Sequence, residues 1–199
     1  YRQGGRGALS PWESHPRTSG PVKSERAVIL PGSGSLTPAT EKIRWYRGNQ
    51  DLMYIKFWGT RGSIASPGPD TVKFGGNTAC VEVVSTSGQR VVIDAGTGIR
   101  PLGDELVQTG QPIHLTLLLT HTHWDHILGM AFFKPVYLES TVINIDGCPK
   151  AFWGLANVFD DRKGNGYFPV AFDELQARIR HLEKLPTGPL RLGDLTITG

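Results

Sequence analysis

The chain has 199 residues, of which 39% are hydrophobic and 20% charged, enough for one domain with a real core and unlike a low-complexity or collagenous chain. Its formal charge of +3 is unevenly spread: residues 1–50 carry eight Lys and Arg against three Asp and Glu, residues 51–199 thirteen against fifteen. The slightly acidic second part argues against a broad basic face for nucleic acid, while leaving room for a small local anion site. Two cysteines, Cys80 and Cys148, are too few for a disulfide framework, so a reducing compartment is expected. No stretch nears the eighteen or so apolar residues of a membrane span, and no secretory signal pattern opens the chain; a cytoplasmic protein is expected, with no membrane partner.

Residues 1–52 are Gly- and Pro-rich with scattered Ser and Thr. Their only apolar run is 27–30, so this part reads as disordered or as a linker. The first methionine, Met53, stands directly before Tyr54-Ile55-Lys56-Phe57-Trp58. It is the expected native start of a domain over 53–199, with 1–52 as upstream sequence; a true linker to a further domain is the rival reading. Strands are expected at 54–58, 78–86 and 89–94, the last two joined by a Ser87-Gly88 turn. A helix is expected over 99–107, ended by Gly110, and a buried strand over 113–120. Residues 126–133 read as a helix stopped by Pro135, and 141–146 as a strand. Residues 151–169 read as a short helix and a loop, and 172–175 as a helical turn. The segments 177–185 and 190–198 read as a strand pair. Hairpins followed by strands interleaved with helices suggest an α/β fold of two sheets flanked by helices.

The strand over 113–120 delivers His121-Thr122-His123-Trp124-Asp125-His126, three histidines and a carboxylate in six positions. Residues two apart in extended chain point the same way, so His121 and His123 can face one ion. Asp125 and His126 follow at a turn and can serve a second ion. Imidazole with carboxylate suits zinc, iron or manganese better than calcium. Taken singly, each histidine reads as a satisfied core or surface residue and Asp125 as a helix N-cap. The cluster is what makes a metal site the better reading.

This motif resembles the signature of the metallo-β-lactamase superfamily. Phe57-Trp58-Gly59-Thr60-Arg61-Gly62-Ser63, Gly75-Gly76-Asn77-Thr78-Ala79-Cys80-Val81-Glu82 and Val91-Val92-Ile93-Asp94-Ala95-Gly96-Thr97-Gly98 bring it nearest to the phosphodiesterase and ribonuclease Z-like branch. The resemblance implies the αββα metallo-β-lactamase sandwich, here its first half to two thirds, with the site at the strand ends. It implies two divalent ions, zinc foremost with manganese or iron as alternatives. His121 and His123 would hold the first, Asp125 and His126 the second, and Asp125 would also orient the bridging hydroxide. Asp94 would hydrogen-bond a ligand or the loop beneath the motif; a turn-capping role is equally open.

The family's remaining ligands, a third histidine, a bridging aspartate and a final histidine, have no match here. His181, the only later histidine, lies in an alternating strand pattern and reads as a surface residue. The expectation is therefore a domain truncated at its C-terminus, binding metal weakly and inactive as it stands.

Arg61 is a candidate contact to an anion, and Asn77 to substrate, although a glycine-built turn explains both. The expected function is metal-dependent hydrolysis of a phosphodiester by a metal-activated hydroxide, on a cyclic nucleotide, a nucleotide or an RNA end. The alternatives are a hydrolase of thioesters or lactams on the same fold, or a non-catalytic metal-binding module.

Overall fold

The run Ile113-His114-Leu115-Thr116-Leu117-Leu118-Leu119 is the strand that the sheet is built around, and every residue in it except His114 is buried. Apolar side chains on both faces of a strand need cover on both sides, as in parallel sheets layered with other elements. The computed structural model describes residues 25–30, 42–47, 50–158 and 170–199, with side chains described from Met53 onward except Phe152 and residues 157–169.

An eight-stranded sheet runs in chain order: β1 (Glu25–Leu30), β2 (Lys42–Arg47), β3 (Gln50–Gly59), β4 (Cys80–Ser85), β5 (Arg90–Ile93), β6 (Ile113–Leu119), β7 (Thr141–Gly147) and β8 (Arg178–His181). The first five pair antiparallel, and β5 to β8 pair parallel. Two short strands, β9 (Leu190–Leu192) and β10 (Leu195–Ile197), form a separate hairpin. The helices are α1 (Ile99–Gln108), α2 (Trp124–Ile127) and α3 (Ala151–Val158), with short 3-10 turns between.

Strand alternation divides the core. Leu115, Leu117 and Leu119 of β6 join Ile99, Leu102 and Leu106 of α1, with Met130, Phe133, Ile143, Ile145 and Leu155. The helical spacing of Ile99, Leu102 and Leu106 makes α1 amphipathic, and its buried stripe lies on this cluster. Leu118 points the other way and packs with Val91 of β5 and Leu190 of β9, joined by Leu192, Leu195 and Ile197. Each such leucine or isoleucine, fully buried, contributes about 1.5–3 kcal/mol. Helices, large sheet and small sheet are thus stacked in that order, a mixed α/β arrangement consistent with the expected sandwich, with three of its four layers present among the described residues.

Several expected elements differ in detail. The sheet pairs on through β1 and β2, so strands stand at residues 25–30 and 42–47 where a linker was expected, and β3 begins at Gln50 rather than after Met53. The alternation Ile43-Arg44-Trp45-Tyr46 is the signal for this, obscured by the Gly- and Pro-rich sequence around it. The expected helix over 126–133 is the single turn of α2 followed by 3-10 turns at Leu128–Phe132 and Lys134–Tyr137. Pro135 opens the second of these rather than stopping a helix. Segments 177–185 and 190–198 do not pair with each other: β8 joins β7 in parallel, and 190–198 folds on itself through the Gly193-Asp194 turn. Gly193 has φ 56°, which a two-residue hairpin turn favours. Part of the loop expected within 151–169 lies outside the described residues.

Asp194 anchors that hairpin to the large sheet by accepting from Thr86 Oγ1 at 2.7 Å and from Ser87 Oγ. The hydroxyls of Ser85, Ser87 and Thr86 hold its carboxyl far below the usual carboxylate range. A depressed folded-state pKa stabilises the fold above the ordinary carboxylate value of about 3.9 and loses that contribution as pH falls towards the folded value. Urea unfolding of Asp194→Ala should therefore show a lower midpoint than the natural chain at pH 7, with the difference shrinking steadily between pH 4 and pH 2.

Candidate metal centre

Five strand ends meet at one edge of the sheet. Because β3 and β5 to β8 run the same way, their carboxyl ends lie together, and ligands of α/β sheets gather at such edges. The described non-glycine residues with left-handed φ are Ser63 (67°), Asp94 (61°), Lys150 (66°) and Glu183 (50°), and each follows one of these strand ends. Left-handed backbone outside glycine costs about 1–3 kcal/mol and concentrates at functional sites. This edge is the candidate functional one.

The motif leaves β6 after Leu119 and runs extended to His123 (φ −66°, ψ 153°), where α2 begins. His121 and His123 share one side, with His121 Nε2 and His123 Nδ1 3.1 Å apart. The rings of His121 and His126 approach to 4.0 Å between centroids. Asp125 Oδ2 lies 3.4 Å from His126 Nε2. Two donors each about 2.0–2.1 Å from one tetrahedral zinc lie about 3.3 Å from one another. Both pairs, His121 with His123 and Asp125 with His126, have that separation. Among the described residues no group of three or more His, Cys, Asp or Glu is arranged around one ion. The donor set fits divalent metal in chemistry and spacing, with two candidate donors in each pair.

Asp94 sits beneath the motif, buried, its carboxylate surrounded by donors. It accepts from the Thr120 amide at 2.8 Å, from Thr120 Oγ1 at 2.9 and 3.0 Å, and from His126 Nδ1 at 2.8 Å. Asp125 is held from the other side, where the Ser63 amide donates to its Oδ2 at 2.8 Å. That bond is the main reason its carboxyl lies below the usual range; partial burial works against it, and His126 and His123 add to it. Sequence reasoning missed both Ser63 and Thr120. Ser63 acts through its backbone, which leaves no trace in residue type. Thr120 had a signal, as the only hydroxyl between the apolar strand and the first histidine.

Other candidates face elsewhere. Arg61 is exposed and turns its Nε to the Ile64 carbonyl at 2.9 Å, closing its own loop. Asn77 Oδ1 accepts from Thr97 Oγ1 at 3.2 Å, inside a reciprocal pair in which Thr78 and Thr97 bond each other's amides with their hydroxyls. That clasp joins the loop before β4 to the loop after β5. Trp124 is half exposed. His181 lies at the end of β8 and lines a cavity of about 260 Å³ with Asp146, Cys148, Lys150 and Glu183. Burial pushes up both Cys80 and Cys148, so both thiols stay protonated at neutral pH.

Gly96 lets this site close. A Cβ there would lie 2.3 Å from the Asp125 carbonyl, 2.5 Å from Thr78 Oγ1 and 2.6 Å from the Ala79 carbonyl. Neighbouring backbone bonds, Ala95 N to His126 O at 2.7 Å and Gly129 N to Ala95 O at 2.9 Å, hold the motif against this segment.

The family model described as the Metallo-beta-lactamase superfamily matches residues 74–197. The chain belongs to that superfamily, and membership suggests a metal-dependent hydrolase that binds divalent ions. No curated protein and no solved structure matches the chain. Among the described residues no helix is long and apolar enough to cross a membrane.

Gly96→Ala is expected to destabilise the fold by about 3 kcal/mol, because two of the new methyl's three nearest neighbours, the Asp125 and Ala79 carbonyl oxygens, are backbone atoms that cannot step aside. A chemical-denaturation midpoint within error of the natural chain would contradict the close packing under the motif.

Proposed function

We propose that this protein is a metal-dependent phosphodiesterase acting on a small phosphodiester, either a cyclic nucleotide, a nucleotide or an RNA end. The observation that carries the proposal is the pair of donor pairs, His121 with His123 and Asp125 with His126, set side by side with the His121 and His126 rings 4.0 Å apart. Bound there, two divalent ions would ionise water near neutral pH and neutralise the charge that builds on a phosphoester's oxygens. Zinc suits the donor set, as do manganese and iron.

The chain's own residues divide the remaining work. His121 and His123 would present ring nitrogens to one ion, and Asp125 and His126 an oxygen and a nitrogen to the other. Asp94 holds His126 by Nδ1, so Nε2 is the atom presented. The Ser63 amide holds the Asp125 carboxyl below its usual range and bonds the same oxygen, Oδ2, that faces His126. The Gly-rich loop carrying Ser63 and Arg61 resembles that of the phosphodiesterase and ribonuclease Z-like branch. The free thiols of Cys80 and Cys148 agree with a reducing, cytoplasmic setting.

Hydrolysis of bis-p-nitrophenyl phosphate tests the proposal, using the protein as its gene encodes it, supplied with zinc or manganese. Turnover that falls at least about 100-fold in His123→Ala is expected. Turnover of a thioester with none of the diester would move the substrate class to acyl compounds, and turnover of neither would overturn a hydrolase reading. Among the described residues each pair offers two donors, which implies weak zinc binding, since catalytic zinc sites have three protein ligands. Isothermal titration with zinc should show weak association, and tight uptake of two ions would refute the two-ligand arrangement.

A further inference from the structure

We propose that the Thr120 hydroxyl is a positioning group that fixes the tautomer of His121, so that a single carboxylate, Asp94, aims one nitrogen from each donor pair. The argument is a count of protons. An ionised carboxylate only accepts hydrogen bonds. Asp94 has Thr120 Oγ1 within 2.9 and 3.0 Å of its two oxygens, so the one hydroxyl proton of Thr120 is spent on Asp94. Towards His121 Nδ1, 3.0 Å away, the same hydroxyl oxygen has only a lone pair to offer. His121 Nδ1 must therefore carry the proton, and Nε2 is left with the free lone pair. Nε2 is the atom that faces His123.

His126 Nδ1 carries its proton by direct contact, because it donates to Asp94 Oδ2 at 2.8 Å, while its Nε2 faces Asp125. The two imidazoles are thus set by one buried anion, one at first hand and the other through a hydroxyl. Free neutral imidazole has no such constraint. A metal binds only a nitrogen without a proton, so a wrong tautomer at His121 must rearrange before it can ligate. The Thr120 amide, donating to Asp94 Oδ1 at 2.8 Å, locks the relay to the end of β6.

The value of this device for catalysis rests on the hydrolase reading, but the tautomers themselves do not. Long-range proton–nitrogen correlation spectra of the metal-free natural chain at pH 8 should show His121 and His126 as the Nδ1–H tautomer. In Thr120→Val, close to isosteric, His121 should revert to a mainly Nε2–H pattern while His126 keeps Nδ1–H and so reports an intact fold. Thr120→Ser should restore the His121 pattern. Zinc affinity should fall about 10-fold in Thr120→Val and by less than about 2-fold in Thr120→Ser, the scale on which such supporting bonds act. An Nε2–H His121 in the natural chain would overturn the proposal even if no variant folded, as would a His121 pattern indifferent to Thr120→Val. Tautomers as expected without any diester hydrolysis would sink the hydrolase reading alone and leave the positioning role standing.

Discussion

A buried carboxylate that must be matched by donors on all sides is the constraint from which the rest of this site follows. Asp94 lies at the end of β5, inside the sheet edge, where an unpaired charge would be costly. Its partners come from the next strand and from the turn beyond it: the amide and hydroxyl of Thr120 and the imidazole of His126. The parallel pairing of β5 with β6 brings these within reach. Satisfying one anion therefore fixes where the chain leaves β6 and where the third histidine points. It also fixes Asp94 in a left-handed backbone conformation, a cost that the three surrounding donors offset.

The remaining contacts serve the same edge. The reciprocal bonds between Thr78 and Thr97 tie the loop before β4 to the loop after β5, and Gly96 lets that second loop lie flat against Asp125 and Ala79. Ser63 brings the loop after β3 to the carboxylate of Asp125. Farther along the edge, Asp146 accepts from the amides of Lys184 and Leu185 and so pins the chain after β8. The apolar cores on the two faces hold the strands still, so that these polar contacts can be made at the ends.

The most specific part of the molecule was legible at once. Three histidines and a carboxylate after an apolar strand have few structural reasons to coincide, and the strand's period of two already placed His121 beside His123. The helix α1, ended near Gly110, and the β4–β5 hairpin, turned at Ser87-Gly88, were also expected from the sequence. What stayed hidden depends on folded geometry rather than residue type. Ser63 contributes an amide, which every residue but proline possesses. Arg61 and Asn77 looked available because sequence cannot show that Ile64 and Thr97 already engage them. The pairing of β8 with β7 was unreadable for a similar reason, since an isolated alternating segment does not name its neighbour. In the opening fifty residues, glycine and proline dominated the composition and masked the short alternation of β2.

The claim on which all of this rests is that the imidazoles and carboxylate at the end of β6 grip divalent cations. X-ray absorption at the zinc edge, on the natural chain with zinc added below the concentration of donor pairs, tests it most directly. The account predicts a shell of nitrogen and oxygen with the outer scattering of imidazole rings, lost when His121 and His123 are both replaced by alanine. An all-oxygen shell without imidazole scattering, identical in the natural and the doubly substituted chain, would contradict it.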